Sequence, residues 1–128
     1  MERVRGIGGV FFRAGGDRDE LLRWYRDHLG VNAGEWGWVV FECVQKDREK
    51  DGSTTWSIFP SDTSYFGDPT SPYMINYRVD DLDRMLEQLR AGGVQVDERV
   101  EETEFGRFGW AVDPDGNRFE LWQPAPGL

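Results

Sequence analysis

An acidic side chain midway along an aromatic strand is the first residue here that could do chemistry. In Arg118-Phe119-Glu120-Leu121-Trp122, Phe119 and Leu121 point to one face, while Arg118, Glu120 and Trp122 point to the other. Glu120 is the one catalytic candidate. Desolvated beside Phe and Trp rings, its carboxyl could serve as a lone general base. Pairing with Arg118 or Arg78 would instead give it a structural role. No other catalytic set emerges. With a single histidine, His28, there is no conventional Ser-His-Asp triad. His28 ends a predicted helix, where it meets the helix dipole. The single cysteine, Cys43, lies in an apolar run and reads as a small core residue. Its sequence neighbour Glu42 would point to the opposite face, leaving the thiol without an obvious activator.

These residues need elements to position them. Asp113-Pro114-Asp115-Gly116-Asn117 reads as the turn that launches the Glu120 strand, with Pro114 presetting φ and Gly116 free to close the hairpin. Earlier, Ile7 to Arg13 alternates as a strand, Gly15-Gly16 breaks it, and Asp17 or Asp19 caps a helix over Asp19 to Leu29. Leu22, Tyr25 and Leu29 give that helix an apolar face, and Gly30 stops it. Trp36 to Val44 and Thr54 to Phe59 read as strands around a charged loop, Lys46 to Gly52. Ser61 to Pro72 is a turn-rich linker whose Tyr65 and Phe66 suggest that it folds over something. The pattern then repeats. Tyr73 to Val79 is a strand, and Asp80 or Asp81 caps a helix to Ala91 that carries Leu82, Met85, Leu86 and Leu89. Strands follow at Val94 to Glu101, Phe105 to Val112 and Asn117 to Trp122. The result is a two-module repeat within one 128-residue domain: module one over 1–60, a linker over 61–72 and module two over 73–128.

Composition narrows the partners. A net charge of −9 with no Lys/Arg cluster argues against nucleic acid and against an anionic membrane surface. No segment is apolar and long enough to span a bilayer, and the N-terminus has no signal-like apolar core. One cysteine cannot form an internal disulfide, so a reducing, cytoplasmic compartment is expected. The 6 Trp, 8 Phe and 4 Tyr suggest extensive aromatic burial, a lined cavity, or both.

Three motifs carry a family resemblance. Trp24-Tyr25-Arg26-Asp27-His28-Leu29-Gly30-Val31 resembles the end of the first helix in the glyoxalase/bleomycin-resistance/extradiol-dioxygenase group, the vicinal oxygen chelate superfamily. Arg78-Val79-Asp80-Asp81-Leu82-Asp83 resembles its second strand-to-helix junction, and Asp113 to Trp122 its closing hairpin. The resemblance implies an α+β fold in which two βαββ(β) modules form a curled mixed-sheet cup with helices outside. It also implies a ligand site within the cup and a homodimer.

Alternation within the strands then sorts two faces. Val10, Phe12, Trp56, Ile58, Ile75, Tyr77, Val79, Phe119 and Leu121 should lie under helices. Gly9, Phe11, Arg13, Thr55, Ser57, Phe59, Met74, Asn76, Arg78, Arg118, Glu120 and Trp122 should face the other way. Aromatic walls with a few directed polar groups suit a small-molecule pocket. The expected ligand-binding residues are Phe11, Arg13, Ser57, Phe59, Met74, Asn76, Arg78, Trp110, Arg118, Glu120 and Trp122, with Trp38 as a further stacking surface.

Enzymes of the superfamily hold a divalent ion with His and Glu on four inner strands. Here the four aligned positions fall on Gly9, Ser57, Met74 and Glu120. Glycine has no donor, a serine hydroxyl is a poor ligand, and a thioether is too soft for a hard divalent ion. A degenerate metal site with no metal and no cofactor is therefore expected. The expected function is binding of a small aromatic or carboxylate-bearing molecule, as in the bleomycin-resistance branch. The alternative is a divalent-metal-dependent lyase, isomerase or dioxygenase. A structural role, with the inner aromatics buried in a dimer interface, is a third reading.

Overall fold

A computed structural model describes residues 1–42, 53–68 and 70–128. Cys43 and the charged loop Lys46 to Gly52 lie outside the described residues. The elements in chain order are β1 (Val4–Arg13), α1 (Arg18–Leu29), β2 (Trp38–Glu42), β3 (Ser53–Phe59), β4 (Tyr73–Val79), α2 (Leu82–Ala91), β5 (Gln95–Val96), β6 (Glu101–Thr103), β7 (Gly106–Val112) and β8 (Arg118–Pro124). Parallel and antiparallel pairs are mixed, so the fold is α+β as expected. The chain packs as two compact units, one comprising Met1–Gly8 with Ile75–Leu128 and the other Gly9–Met74.

In the unit containing Ile75–Leu128 the strand order is β1-β4-β8-β7-β5, with β6 also paired to β7. Its core forms where α2 lies on the sheet. Val79, Leu82, Met85, Leu86 and Leu121 are buried together, and Tyr77, Leu89, Val96 and Phe119 pack around them. Full burial of one such side chain contributes roughly 1.5–3 kcal/mol. Asp81 caps α2 by accepting the Arg84 N–H at 3.0 Å, and Gln123 accepts the Leu82 N–H at 2.9 Å. Between Val94 and Glu101 the sequence suggested one continuous strand. The structure instead has two short ones, β5 and β6, interrupted where Asp97 Oδ1 accepts the Arg99 N–H in a local turn.

In the unit Gly9–Met74 the order is β2-β3-β1. Asp17 is the α1 cap, accepting the N–H groups of Asp19 (2.8 Å) and Glu20 (3.2 Å). The helix meets the sheet through Tyr25, whose ring centroid lies 6.0 Å from Phe12 and 5.0 Å from Trp56. No residue of α1 is fully buried, and Leu29, expected on its apolar face, is 63% exposed. The linker folds onto the sheet. Phe66 is buried against Phe59, with centroids 5.0 Å apart. The Arg13 guanidinium donates to the carbonyls of Ser71, Ser61 and Thr63 at 3.1, 3.0 and 2.7 Å.

Candidate functional site

β4, β7 and β8 place the chemistry in the unit with α2. Leu121 and Val79 point into the α2 core, so the alternate residues of these strands occupy the opposite face. The register aligns Asn76 with Glu120, Trp110 with Glu120, and Phe108 with Trp122. Neighbouring strands therefore deliver an amide, an indole and a carboxylate to one spot. Glu120 is 1% exposed. Its Oε1 accepts the Asn76 Nδ2–H at 2.6 Å, and its Oε2 accepts the Trp110 Nε1–H at 2.9 Å.

Beside this cluster two polar atoms are left over. Asn76 Oδ1 and Arg118 Nε are buried without a hydrogen-bond partner among the described residues. Such groups cost about 1–3 kcal/mol each unless something else satisfies them. Asn76 Oδ1 lies against Gly8: a Cβ at that position would collide with the amide oxygen and with the Trp122 ring. Glycine there is what gives the amide its room.

Two guanidiniums cover Trp110, with Arg99 Cζ 4.9 Å and Arg118 Cζ 5.4 Å from the ring centroid. A third, Arg78, stands 4.8 Å over the Trp122 ring and donates to the Leu128 carbonyl at 2.8 Å. Burial pushes the Arg78 pKa down. Phe108 stacks nearly parallel to Trp122 at 6.0 Å, and the Trp122 Nε1–H is held by the Phe105 carbonyl. Arg118 pairs with Asp97 at 3.4 Å, which corrects the expectation that it might pair with Glu120. The Arg99 backbone N–H, followed by the Arg118 guanidinium, holds the Asp97 carboxyl below its ordinary range.

The residues expected at the site divide between the two units. Asn76, Arg78, Trp110, Arg118, Glu120 and Trp122 lie together as described. In the other unit, Phe11 and Phe59 form an aromatic face, 5.3 Å apart. Ser57 pairs in register with Phe11 and Trp38, and Met74 is buried. Arg13 is engaged by the linker. Phe108, Arg99, Asp97 and Gly8 were not expected. Alternation along β7 groups Phe108 with Trp110 and could have found it. Arg99 and Asp97 come from an irregular segment with no periodic signal.

The same geometry tests the metal expectation. The β4–β8 register sets Asn76 beside Glu120, two residues beyond the aligned Met74, and Gly8 rather than Gly9 faces that amide. Both Glu120 oxygens are met by N–H groups, which oppose a cation. Among the described residues no three His, Cys, Asp or Glu side chains come together as a metal cradle. This donor set does not fit a divalent ion. General-base chemistry at Glu120 would have to use a lone pair left beside the Asn76 and Trp110 donors.

A mixed sheet of eight strands with two helices among the described residues defines an α+β fold. The family model for the Glyoxalase/Bleomycin resistance protein/Dioxygenase superfamily matches residues 9–121, and the chain belongs to that superfamily. Among solved structures it is similar to methylmalonyl-CoA epimerase from Mycobacterium tuberculosis, with 23% identity, a TM-score of 0.62 and coverage of 96% of this chain and 90% of that one. It is also similar to a Streptomyces coelicolor methylmalonyl-CoA epimerase variant in complex with 2-nitronate-propionyl-CoA, at 18% identity, TM-score 0.64 and 97% coverage of each chain. A third likeness is to 2,2',3-trihydroxybiphenyl 1,2-dioxygenase from Sphingomonas wittichii strain RW1, at 20% identity and TM-score 0.55, covering 94% of this chain and 40% of that one. At these identities the likeness establishes the fold. No curated protein matches the chain.

Proposed function

We propose that this chain is a small-molecule-binding member of the superfamily whose metal site has been replaced by a hydrogen-bonded cluster. The observation that carries this reading is the buried Glu120, with Asn76 and Trp110 donating to its two oxygens. That arrangement occupies the carboxylate and leaves Asn76 Oδ1 as an acceptor awaiting a donor. Arg78, desolvated over Trp122, supplies a cation beside an aromatic surface and favours an aromatic or carboxylate-bearing ligand. Asn76, Arg78, Trp110, Arg118, Glu120 and Trp122 are the proposed contact set in their unit. Phe11, Arg13, Ser57, Phe59 and Met74 stay in the proposal as candidates in theirs. The metal-dependent lyase, isomerase or dioxygenase reading is disfavoured by the donor chemistry.

The test is a panel of aromatic carboxylates and their neutral amides, followed by thermal shift and Trp fluorescence on wild type, Arg78→Ala and Asn76→Ala. Carboxylates should bind in preference to amides, and Arg78→Ala should weaken them tenfold or more. Equal binding by both variants would refute this contact set.

We also propose a cytoplasmic homodimer. In the unit Gly9–Met74, Trp24, Trp36 and Phe41 are 49, 62 and 48% exposed, aromatic surface that a second copy of the chain would cover. No helix among the described residues is long and apolar enough to cross a membrane. Light scattering across a concentration series tests the dimer, and a monomer throughout would refute it.

A further inference from the structure

The unit Gly9–Met74 contains a concavity that plays no part in the site above. It is a groove of about 640 Å³ between α1 and the segment that follows it, within the size range of small-ligand sites. Leu22, Val31 and Ala33 contribute apolar lining, and Arg18, Arg23 and Arg26 contribute guanidiniums. On α1, Arg26 lies about 60° from Arg23 and about 80° from Arg18 around a 3.6-residue helix, so the three spread over roughly 140° of its surface. In a chain of net charge −9, a groove with three arginines is a local concentration of guanidiniums.

The pairing of those arginines decides what the groove can hold. Arg26 is engaged by its neighbour Asp27 at 3.0 Å. Arg18 and Arg23 form no ion pair among the described residues. Arg18 is half-buried and runs past Gly37, where a Cβ would come within 3.5 Å of its Nη1, so its guanidinium is confined. Asp19 and Glu35 also line the groove; with Arg26 paired to Asp27, they balance Arg18 and Arg23 in charge, so recognition rests on the geometry of the two guanidinium forks. Two unpaired guanidinium forks suit the bidentate geometry of a tetrahedral oxyanion.

We propose that this groove is a second ligand site, binding the phosphate group of a small phosphorylated molecule through Arg18 and Arg23, with the apolar lining contacting its organic part. Inorganic pyrophosphate is the probe, titrated into the full chain by calorimetry at 50 and 200 mM salt. Amide chemical shifts should move at residues 31–35, and affinity should fall several-fold at the higher salt. The double variant Arg18→Gln/Arg23→Gln should bind at least tenfold more weakly. Arg3→Gln, an exposed arginine in the other unit, should bind as wild type does. Should the double variant fail to fold, Arg23→Gln alone, on the exposed side of α1, carries the same expectation at about threefold. No binding at millimolar pyrophosphate, unchanged binding by the groove variants, or equal loss in Arg3→Gln would overturn the proposal. Loss confined to Arg78→Ala, with the groove variants unchanged, would place the anion at the Glu120 site and overturn the proposal, so failure of this groove is distinguishable from failure of that site.

Discussion

Glu120 is held by what it accepts, and removing it exposes the cost. Glu120→Ala leaves the Asn76 amide and the Trp110 indole N–H buried without their acceptor and opens a cavity. Destabilisation of about 2–4 kcal/mol is expected in a urea melt. Glu120→Gln keeps the volume, and the Asn76 amide can turn its oxygen toward the new NH₂, so about 1 kcal/mol is expected. An equal loss in both variants would show that the charge of Glu120, more than its acceptor role, is what the structure requires. Gly8→Ala is the complementary probe. Its methyl would strike Asn76 Oδ1 and the Trp122 ring, and overpacking of this kind costs about 1–3 kcal/mol. The double variant Gly8→Ala/Asn76→Ala should recover part of that loss, because the amide is then gone.

At the scale of elements, two connections are held by polar groups that can be removed singly. In the turn before β8, Asp113 accepts from the Asn117 side chain at 3.0 Å and from the backbone N–H groups of Asn117 and Asp115 at 2.9 Å. The Asn117 side chain, then its backbone N–H, lowers the Asp113 pKa from its ordinary value of 3.8. A carboxyl lowered in the folded state stabilises fully above its unfolded value, and that contribution is lost as pH falls through the folded one. Stability should therefore drop below about pH 4, and Asp113→Asn should flatten that part of the pH profile; an unchanged profile would refute the coupling. The linker is the second case. Arg13→Ala removes the fork that gathers four linker carbonyls, so limited proteolysis within 61–72 should speed up several-fold. Arg13→Lys should rescue little, because an ammonium cannot span those carbonyls as a planar fork does.

At the scale of the molecule, the donor chemistry around Glu120 predicts the response to metals. Adding Zn²⁺, Ni²⁺, Mn²⁺ or Fe²⁺ should shift the melting temperature by less than about 2 °C, since binding at a hundredfold excess over Kd would contribute about 2.7 kcal/mol and shift it more. A large shift that disappears in Glu120→Ala would place a metal at the cluster after all.

Much of this protein could be read along the chain. A cap at Asp17 or Asp19, another at Asp80 or Asp81, the hairpin at Asp113 to Asn117, and the split of β8 into a core face and a polar face follow from local rules, and the structure chose Asp17 and Asp81. Turn chemistry and side-chain periodicity act within a few residues and are written in the order of those residues. Partners across strands were not visible. That Asn76 meets Glu120, that Gly8 makes room for its amide, that Arg118 turns to Asp97 and that Arg13 gathers the linker all depend on register and on long-range packing. A shift of one residue in register would send each of these side chains to the opposite face. Residue types and periodicity thus sorted the strands into a core face and a polar face, whereas tertiary structure alone decided which groups satisfy one another and which, like Asn76 Oδ1, remain unsatisfied.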